Sequence, residues 1–299
     1  MSFENFLDGV AKKAAENNAV QEGDYYGDDG LLYCGKCNTR RQCIIDDWRF
    51  KGRKKTVFCE CKCRTEKRIA EEKRHMQIKK MQEIERLRRL GFPDEEMQKW
   101  TFEKDDGSNE KISEVARNYV EQFAEMKKRG KGLLLFGKVG TGKTFISACI
   151  ANALIDKGRA CLVTNFARLV NTLQGMYDGK QNYIDSLNEF DLLVIDDLAS
   201  ERDTEYMGEI VQNIIDSRYR AGLPLIITTN LTSNELKHPS DMRKQRIYSR
   251  LFEMCVPIEV AGVDRRKQKL KEEFGTLGNL LGLNVAESNG NGNNEDKTP

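Results

Sequence analysis

The feature that most constrains this chain is a glycine-rich segment between an apolar run and a helical pattern. Leu133 to Phe136 is typical of a buried strand, and Phe145 to Leu154 has helical spacing. Between them lies the phosphate loop, which consists of Gly137, Lys138, Val139, Gly140, Thr141, Gly142, Lys143 and Thr144. Its glycines allow the backbone to wrap around phosphates, with N–H groups and a helix N-terminus facing the anion. We therefore expect a nucleoside triphosphate here, with Lys143 at the β- and γ-phosphates and the Thr144 hydroxyl on Mg²⁺.

Two later apolar runs end in polar side chains. Asp196 and Asp197 follow Leu192 to Ile195, and we expect Asp196 to bind Mg²⁺ and Asp197 to polarise the attacking water. Asn230 follows the run from Leu225 and is expected to hydrogen-bond the γ-phosphate or that water. Helical patterns separate these runs, so the sequence predicts an α/β fold with a parallel sheet and helices on both faces.

A cluster of cysteines forms the second unusual feature. Six of the nine cysteines lie between positions 34 and 63, and in a reducing compartment clustered thiols are typical metal ligands. Zinc suits four thiolates on two tight turns. The favoured ligands are Cys34, Cys37, Cys61 and Cys63, with Cys59 as the first substitute and Cys43 as a weaker one. An iron–sulfur cluster or a redox switch is the alternative, because cysteine spacing alone excludes neither.

The pattern divides the chain into four segments. Residues 1–63 are expected to form a small zinc-stapled module, and residues 64–97 a basic helical linker. Whether this linker is a solvated spacer or faces nucleic acid or a partner stays open. Residues 98–270 carry the α/β domain, and residues 271–299 form an extension that ends in a largely disordered tail rich in Asn, Gly and charge.

Composition narrows the class of protein. The formal net charge of +2 is too small to argue for nucleic-acid binding from the total. Every apolar run is far shorter than the roughly 20 residues that a membrane-spanning helix needs. The first residues lack a basic segment followed by an apolar core, so no signal peptide is expected. A cytoplasmic protein without a membrane partner is the expectation.

The order of the motifs resembles the AAA+ ATPases, and specifically the DnaC- and DnaI-like loaders of replicative helicases in bacteria and phages. The resemblance covers Trp100 to Lys269. Gly132 to Thr144 matches Walker A, Asp191 to Asp197 matches Walker B, and Thr228-Thr229-Asn230 matches sensor 1. It implies ATP, Mg²⁺ and Zn²⁺ as ligands, and ATP hydrolysis as the activity.

Two further segments match the arginine motifs of that family. Arg246 to Leu251 is similar to the arginine-finger segment, and Gly262 to Arg266 is similar to sensor 2. The resemblance implies Arg250 as the finger, with Arg246 as second choice, and Arg266 as the sensor-2 arginine. A finger supplied by a neighbouring subunit would make hydrolysis depend on assembly into a homo-oligomer.

One departure from the family concerns the second acid of Walker B, which is Asp197 where many AAA+ proteins carry Glu. The shorter side chain leaves the water farther away, so slow turnover that DNA or a partner stimulates is expected.

The resemblance implies a loader of a DnaB-like helicase onto single-stranded DNA, with the cysteine module contacting the helicase. Tyr177 and Tyr206 are candidate base-stacking residues, because both are expected in loops near the motor elements. One alternative is a transposition helper ATPase of the IstB type, which has nearly the same motor. Another is a zinc-containing, nucleic-acid-binding adaptor in which the nucleotide is structural.

Overall fold

The computed structural model describes residues 19–47, 52–198 and 205–281. The chain divides into two compact units, Met1–Gln82 and Glu83–Pro299.

The first unit contains two short antiparallel pairs of strands. Strand β1 (Tyr25–Tyr26) pairs with β2 (Leu32–Tyr33), and β3 (Gln42–Asp46) pairs with β4 (Lys54–Phe58). The predicted strand at positions 56 to 58 is the second half of β4. In the described part of this unit, the fully buried apolar side chains are Leu31, Leu32, Cys34 and Cys61. So small an apolar core needs an additional staple to fold.

Helix α1 (Lys62–Gly91) has 30 residues and runs across the boundary between the two units. It has no internal Gly or Pro and is dense in Lys, Arg and Glu, residues that favour a helix even where they face solvent. It ends at Gly91, two positions before Pro93. The helix occupies most of the segment predicted as a basic linker, while the domain limits at 63, 97 and 270 stay a prediction.

The second unit is built on a five-stranded sheet in which every pair of strands is parallel. Its strands are β5 (Gly132–Phe136), β6 (Cys161–Asn165), β7 (Leu192–Leu198), β8 (Leu225–Thr229) and β9 (Cys255–Glu259). The order across the sheet is β6-β7-β8-β5-β9, so the strand before the phosphate loop lies inside the sheet. The predicted parallel α/β architecture is confirmed.

Helices cover both faces of this sheet. They are α2 (Glu110–Glu121), α3 (Phe123–Lys128), α4 (Lys143–Asp156), α5 (Phe166–Gly175), α6 (Lys180–Ser186), α7 (Glu205–Arg220), α8 (Ser233–Lys237), α9 (Met242–Met254) and α10 (Arg265–Leu280). Successive side chains of β5 enter different cores: Leu133 and Leu135 pack in the cluster with α2 and α4, and Leu134 packs in the cluster with α5, α7 and α9. Burial on both faces explains why these strands are continuous apolar runs.

Strand β9 was missed by the sequence pattern. It lies at the edge of the sheet, where it pairs only with β5 and includes Pro257. An edge strand tolerates proline because one of its sides needs no ladder hydrogen bonds, and its half-exposed residues do not form an apolar run.

None of the helices in the described part of the chain is long and apolar enough to cross a membrane. The last of them, α10, continues past the domain limit predicted at residue 270. The tail predicted to be disordered lies outside the described residues from position 282 onward.

Candidate nucleotide and metal sites

The phosphate loop joins β5 to α4 through glycines with positive φ angles. The φ angles of Gly137, Gly140 and Gly142 are 140°, 80° and 95°, conformations that other residues rarely adopt. A Cβ on Gly140 would lie 2.0 Å from the carboxylate oxygen Oδ1 of Asp264. Gly140 is therefore required twice, for its backbone conformation and for the close approach of a neighbouring segment.

Lys143 is buried at the start of α4, and its ammonium group lies inside the loop. Nζ donates to the carbonyl oxygens of Gly137 at 2.9 Å and Lys138 at 2.7 Å, and to Asn230 Oδ1 at 2.8 Å. Burial lowers the pKa of Lys143, against the raising effect of the two neighbouring carboxylates. The contact brings together two residues that are 87 positions apart and were predicted to act on the same phosphate.

The first Walker B acid lies directly beside the loop. Thr144 Oγ1 donates to Asp196, with both carboxylate oxygens at 3.0 Å. Burial is the main cause that raises the pKa of Asp196, while the Thr228 and Thr144 hydroxyls oppose it. A hydroxyl and a carboxylate, both hard oxygen donors at the carboxyl end of a parallel sheet, form a donor set that fits Mg²⁺.

Asp197 has an unusual backbone conformation, with φ at 58° in the left-handed region. Its N–H donates to Thr228 Oγ1 at 3.0 Å, and the Thr228 hydroxyl in turn donates to the carboxylate of Asp196. The pairing of β7 with β8 shifts register between Ile195 and Leu198, which includes this position. A non-glycine residue in this region is strained, and such strain persists when neighbouring groups hold it.

Thr228 is thus part of the candidate site, although the sequence predicted no role for it. The resemblance placed it in the sensor-1 segment, but only Asn230 was expected to act. Its side chain is completely buried and contacts both acids. The only available signal was a hydroxyl residue at the end of an otherwise apolar strand.

The start of α10 contacts the phosphate loop. The backbone N–H of Arg265 donates to Gly140 O at 3.0 Å, and the Arg265 guanidinium pairs with Asp106 at 3.3 Å. Arg266 lies near enough for its charge to help lower the pKa of Lys143, after burial has made the largest contribution. The predicted sensor-2 segment therefore meets the loop within one chain, and Asp264 and Arg265 are contacts that the sequence did not predict.

Arg250 lies apart from this set. Within the described residues, its guanidinium pairs with Asp216 and lies 5.9 Å from the ring centroid of Tyr219, both on α7. Arg246, the second choice for the finger, lines a surface groove of about 570 Å³ together with Arg250. The structure brings neither arginine to the chain's own phosphate loop, so both roles stay predictions.

Four cysteine thiols in the first unit converge. The sulfur atoms of Cys34, Cys37, Cys61 and Cys63 all lie within 4.8 Å of one another. We call these residues the cysteine quartet. Two of its Sγ to Sγ distances are 3.7 Å and 3.4 Å, near the roughly 3.8 Å expected between thiolates at about 2.3 Å from a tetrahedral Zn²⁺. The quartet is the set that the spacing favoured, and its geometry fits zinc.

The thiols of the quartet differ in acidity. The hydroxyl of Thr39, 3.0 Å from Cys37 Sγ, is the main cause that lowers the pKa of Cys37 to about 6. The neighbouring thiols of Cys61 and Cys37 raise the pKa of Cys63 to about 12. Thiolates this close need a cation to be ionised together, so the arrangement suits a bound metal ion. Zinc itself stays a prediction.

The two candidate base-stacking tyrosines lie in different kinds of structure. Tyr177 lies between α5 and α6, as predicted for a loop residue, and is fully exposed. The loop prediction for Tyr206 is wrong, because this residue belongs to the first turn of α7; its side chain lies outside the described part of the structure. A role in binding DNA stays a prediction for both.

Comparison with known proteins relates residues 54–273 to the family described as "IstB-like ATP binding protein". The replicative helicase loader DnaI of Bacillus subtilis (strain 168) is 27% identical over 150 residues, which are 46% of this chain and 48% of the relative. The replicative helicase loader DnaC of Escherichia coli (strain K12) is 26% identical over 140 residues, 46% of this chain and 55% of the relative. The chain thus spans about half the length of these curated relatives.

Two solved structures also match part of the chain. A crystal structure of DnaI matches with a TM-score of 0.49 and 24% identity, over 57% of this chain and 96% of the other. A crystal structure of the DnaC helicase loader matches with a TM-score of 0.47 and 23% identity, over 56% of this chain and all of the other. The predicted relationship to DnaC- and DnaI-like loaders and IstB-type ATPases is confirmed by the sequence matches.

Proposed function

We propose that this chain, which belongs to the family of IstB-like ATP binding proteins, is an ATP-dependent loader that places a replicative, DnaB-like helicase on single-stranded DNA. We place it in the cytoplasm, as a homo-oligomer that forms when ATP binds. Relatives named replicative helicase loaders support the choice of client.

The observation that carries the proposal is the meeting of Lys143, Thr144, Asp196 and Asn230 at one edge of the sheet. In the proposed site the loop backbone and Lys143 hold the phosphates, and Asn230 exchanges its bond with Lys143 for one to the γ-phosphate or the water. Mg²⁺, held by Thr144 and Asp196, would neutralise charge that develops on the phosphoryl oxygens.

Asp197 is the proposed residue that orients and polarises the attacking water. Arg266 of the same chain and Arg250 of a neighbour would stabilise negative charge at the γ-phosphate. A guanidinium that arrives only with a neighbour makes hydrolysis depend on assembly. ATP would act as the conformational switch, and its hydrolysis would release the loader.

The cysteine quartet is proposed to hold Zn²⁺ and thereby to fold the surface that contacts the helicase. A structural zinc site supplies folding free energy directly, so its removal unfolds a small module. The full-length chain should bind the helicase in a pull-down, and stripping zinc with a chelator should abolish that binding. Unchanged capture after verified metal loss would contradict this role.

Loading and hydrolysis are tested together with the full-length chain. Lys143→Ala should abolish both the ATPase activity that single-stranded DNA stimulates and the helicase-dependent unwinding of a forked DNA. Lys111→Ala, which removes an exposed lysine from α2, is the matched control and should behave as wild type. Equal ATPase rates in wild type and Lys143→Ala would refute the motor and favour an adaptor with a structural nucleotide.

A transposition helper of the IstB type is the second candidate, because the matched family is described by the name IstB-like. The two functions differ in client. If the chain stimulates strand transfer by a transposase and does not increase unwinding by a replicative helicase, the loader proposal fails and the helper function stands.

A further inference from the structure

Arg250 is held in place by a second side chain that the proposed mechanism does not use. Its guanidinium nitrogen Nη1 forms an ion pair with the carboxylate of Asp216, which projects from the neighbouring helix α7. The side chain of Asp216 is 14% exposed and that of Arg250 is 35% exposed. The carboxylate is therefore the more buried partner, while the side chain of Arg250 stays partly exposed.

The same guanidinium is also bounded by an aromatic ring. Its central carbon lies 5.9 Å from the ring centroid of Tyr219, which is one turn after Asp216 on the same face of α7. The Tyr219 hydroxyl bonds to Glu253 Oε2 at 2.8 Å, so the ring is itself fixed against α9. The carboxylate and the ring together restrict a side chain that would otherwise sample many rotamers.

The restrained guanidinium faces an open polar groove. Its lining includes Arg246 and Arg250, which are one turn apart on α9, the polar side chains of Gln212, Gln245 and Ser249, and Glu253, whose carboxylate accepts from the Tyr219 hydroxyl. Arginine presents five N–H donors in a fixed fork. An ion pair through Nη1 leaves the other donors of Arg250 for an anion that enters from outside.

We infer that Asp216 is a positioning residue for Arg250: it holds the guanidinium facing the open groove, where it would meet a triphosphate held by a second copy of this chain. The inference rests on the proposed function, in which Arg250 completes the neighbour's site. An arginine that is already oriented loses less conformational freedom when it meets the phosphate, so the preset geometry favours the transition state. The carboxylate does not touch the nucleotide and acts only through Arg250.

A mixing experiment with full-length chains tests this. Arg250→Ala chains keep an intact phosphate loop and serve as the hydrolysing subunits. Lys143→Ala chains cannot hydrolyse but keep Arg250, and they serve as donors of the guanidinium. Titrating donor into hydrolysing chains, with single-stranded DNA present, gives a maximal ATPase stimulation and a donor concentration for half of it.

Donors that also carry Asp216→Asn should give a maximal stimulation about 10-fold lower at an unchanged half-saturating concentration. Asp216→Glu should restore much of it. Glu209→Gln, which removes an exposed carboxylate from the same helix, is the control donor and should match the parent donor. A purely structural role of Asp216 would instead raise the half-saturating concentration, because the donor surface would no longer assemble.

Three results with Asp216→Asn donors overturn the inference. The first is a maximal stimulation equal to that of the parent donor, and the second is a higher stimulation, which would mean that Asp216 holds Arg250 away from the phosphate. The third is a change in the half-saturating concentration alone. The proposed function fails in a different way. If unmodified Lys143→Ala donors do not stimulate Arg250→Ala chains at all, the site is not shared between subunits, whatever Asp216 does.

Discussion

Thr228→Val is the substitution that tests the geometry of the candidate site most directly. Valine has nearly the shape of threonine, so the buried strand β8 keeps its packing while one hydroxyl is lost. That hydroxyl donates to Asp196 and accepts the N–H of Asp197. The change therefore removes a hydroxyl that contacts both Walker B acids.

The magnitude follows from these two bonds. A hydrogen bond to a charged group contributes about 1.5–3 kcal/mol, and a buried N–H left without an acceptor costs about 1–3 kcal/mol. If the bond to the carboxylate is needed in the transition state, its loss lowers kcat by about 10- to 150-fold. Without an acceptor for its N–H, the backbone of Asp197 should relax from its strained φ of 58°. The carboxylate of Asp197, which is proposed to polarise the water, should then move away from that water.

The assay is steady-state ATP hydrolysis at saturating DNA, over a range of Mg²⁺ concentrations. Thr228→Val should lower kcat and require more Mg²⁺, while Thr228→Ser, which keeps the hydroxyl, should stay within a few-fold of wild type. Thr229→Val is the control, because its equally buried hydroxyl donates to the carbonyl of Leu198 and accepts the N–H of Leu231 instead. A Thr228→Val rate within twofold of wild type, or an equal loss in Thr229→Val, would refute the reasoning.

Three further predictions concern other parts of the molecule. Gly140→Ala should weaken binding of a fluorescent ATP analogue at least 10-fold, whereas Gly158→Ala, at a similar φ of 78° but with open space around it, should bind as wild type. Asp24→Asn removes the carboxylate that forms an ion pair with the buried Arg41 and should destabilise the first unit by about 3–5 kcal/mol at pH 7. Amide exchange in β3 measures this, and Asp29→Asn, which breaks an exposed pair, should destabilise the unit much less. Burial alone would raise the pKa of Asp24, but hydrogen bonds and the arginine hold it below its ordinary value. The cost should therefore shrink as the pH falls through that lowered pKa, because the ionised carboxylate alone is stabilising. Metal analysis should find a single Zn²⁺ per chain, and its removal should speed amide exchange across residues 19–47.

Much of the site could be predicted from local sequence. The phosphate loop needs residues in unbroken order, and the acids and the amide each follow an apolar strand. The carboxyl ends of parallel strands lie at the same edge of a sheet, so the sequence predicts that Lys143, Asp196 and Asn230 lie close together there. The cysteine quartet was also predictable from local sequence, because two closely spaced cysteines on a tight turn can supply half of a four-ligand metal site.

The contacts that were missed join segments with no shared local pattern. The resemblance to sensor 2 pointed to the segment that contains Asp264 and Arg265, but their contacts with the phosphate loop, more than a hundred residues away, follow from no periodicity in the sequence. Thr228 looks like the end of a strand until its hydroxyl is seen between two carboxylates. Strand β9 was missed because an edge strand needs neither a continuous apolar run nor freedom from proline.

The sequence by itself determined the fold class, the phosphate loop with its strand-end acids, and the four favoured zinc ligands, because each depends on residue types at short, regular spacing. The tertiary structure alone decided which side chains hold those groups in place. It put Thr228 between the acids, Asp264 against Gly140, and Asp216 beneath Arg250. These side-chain contacts depend on how helices and strands pack across the sheet. The distances between segments that are remote in sequence cannot be predicted from a local pattern.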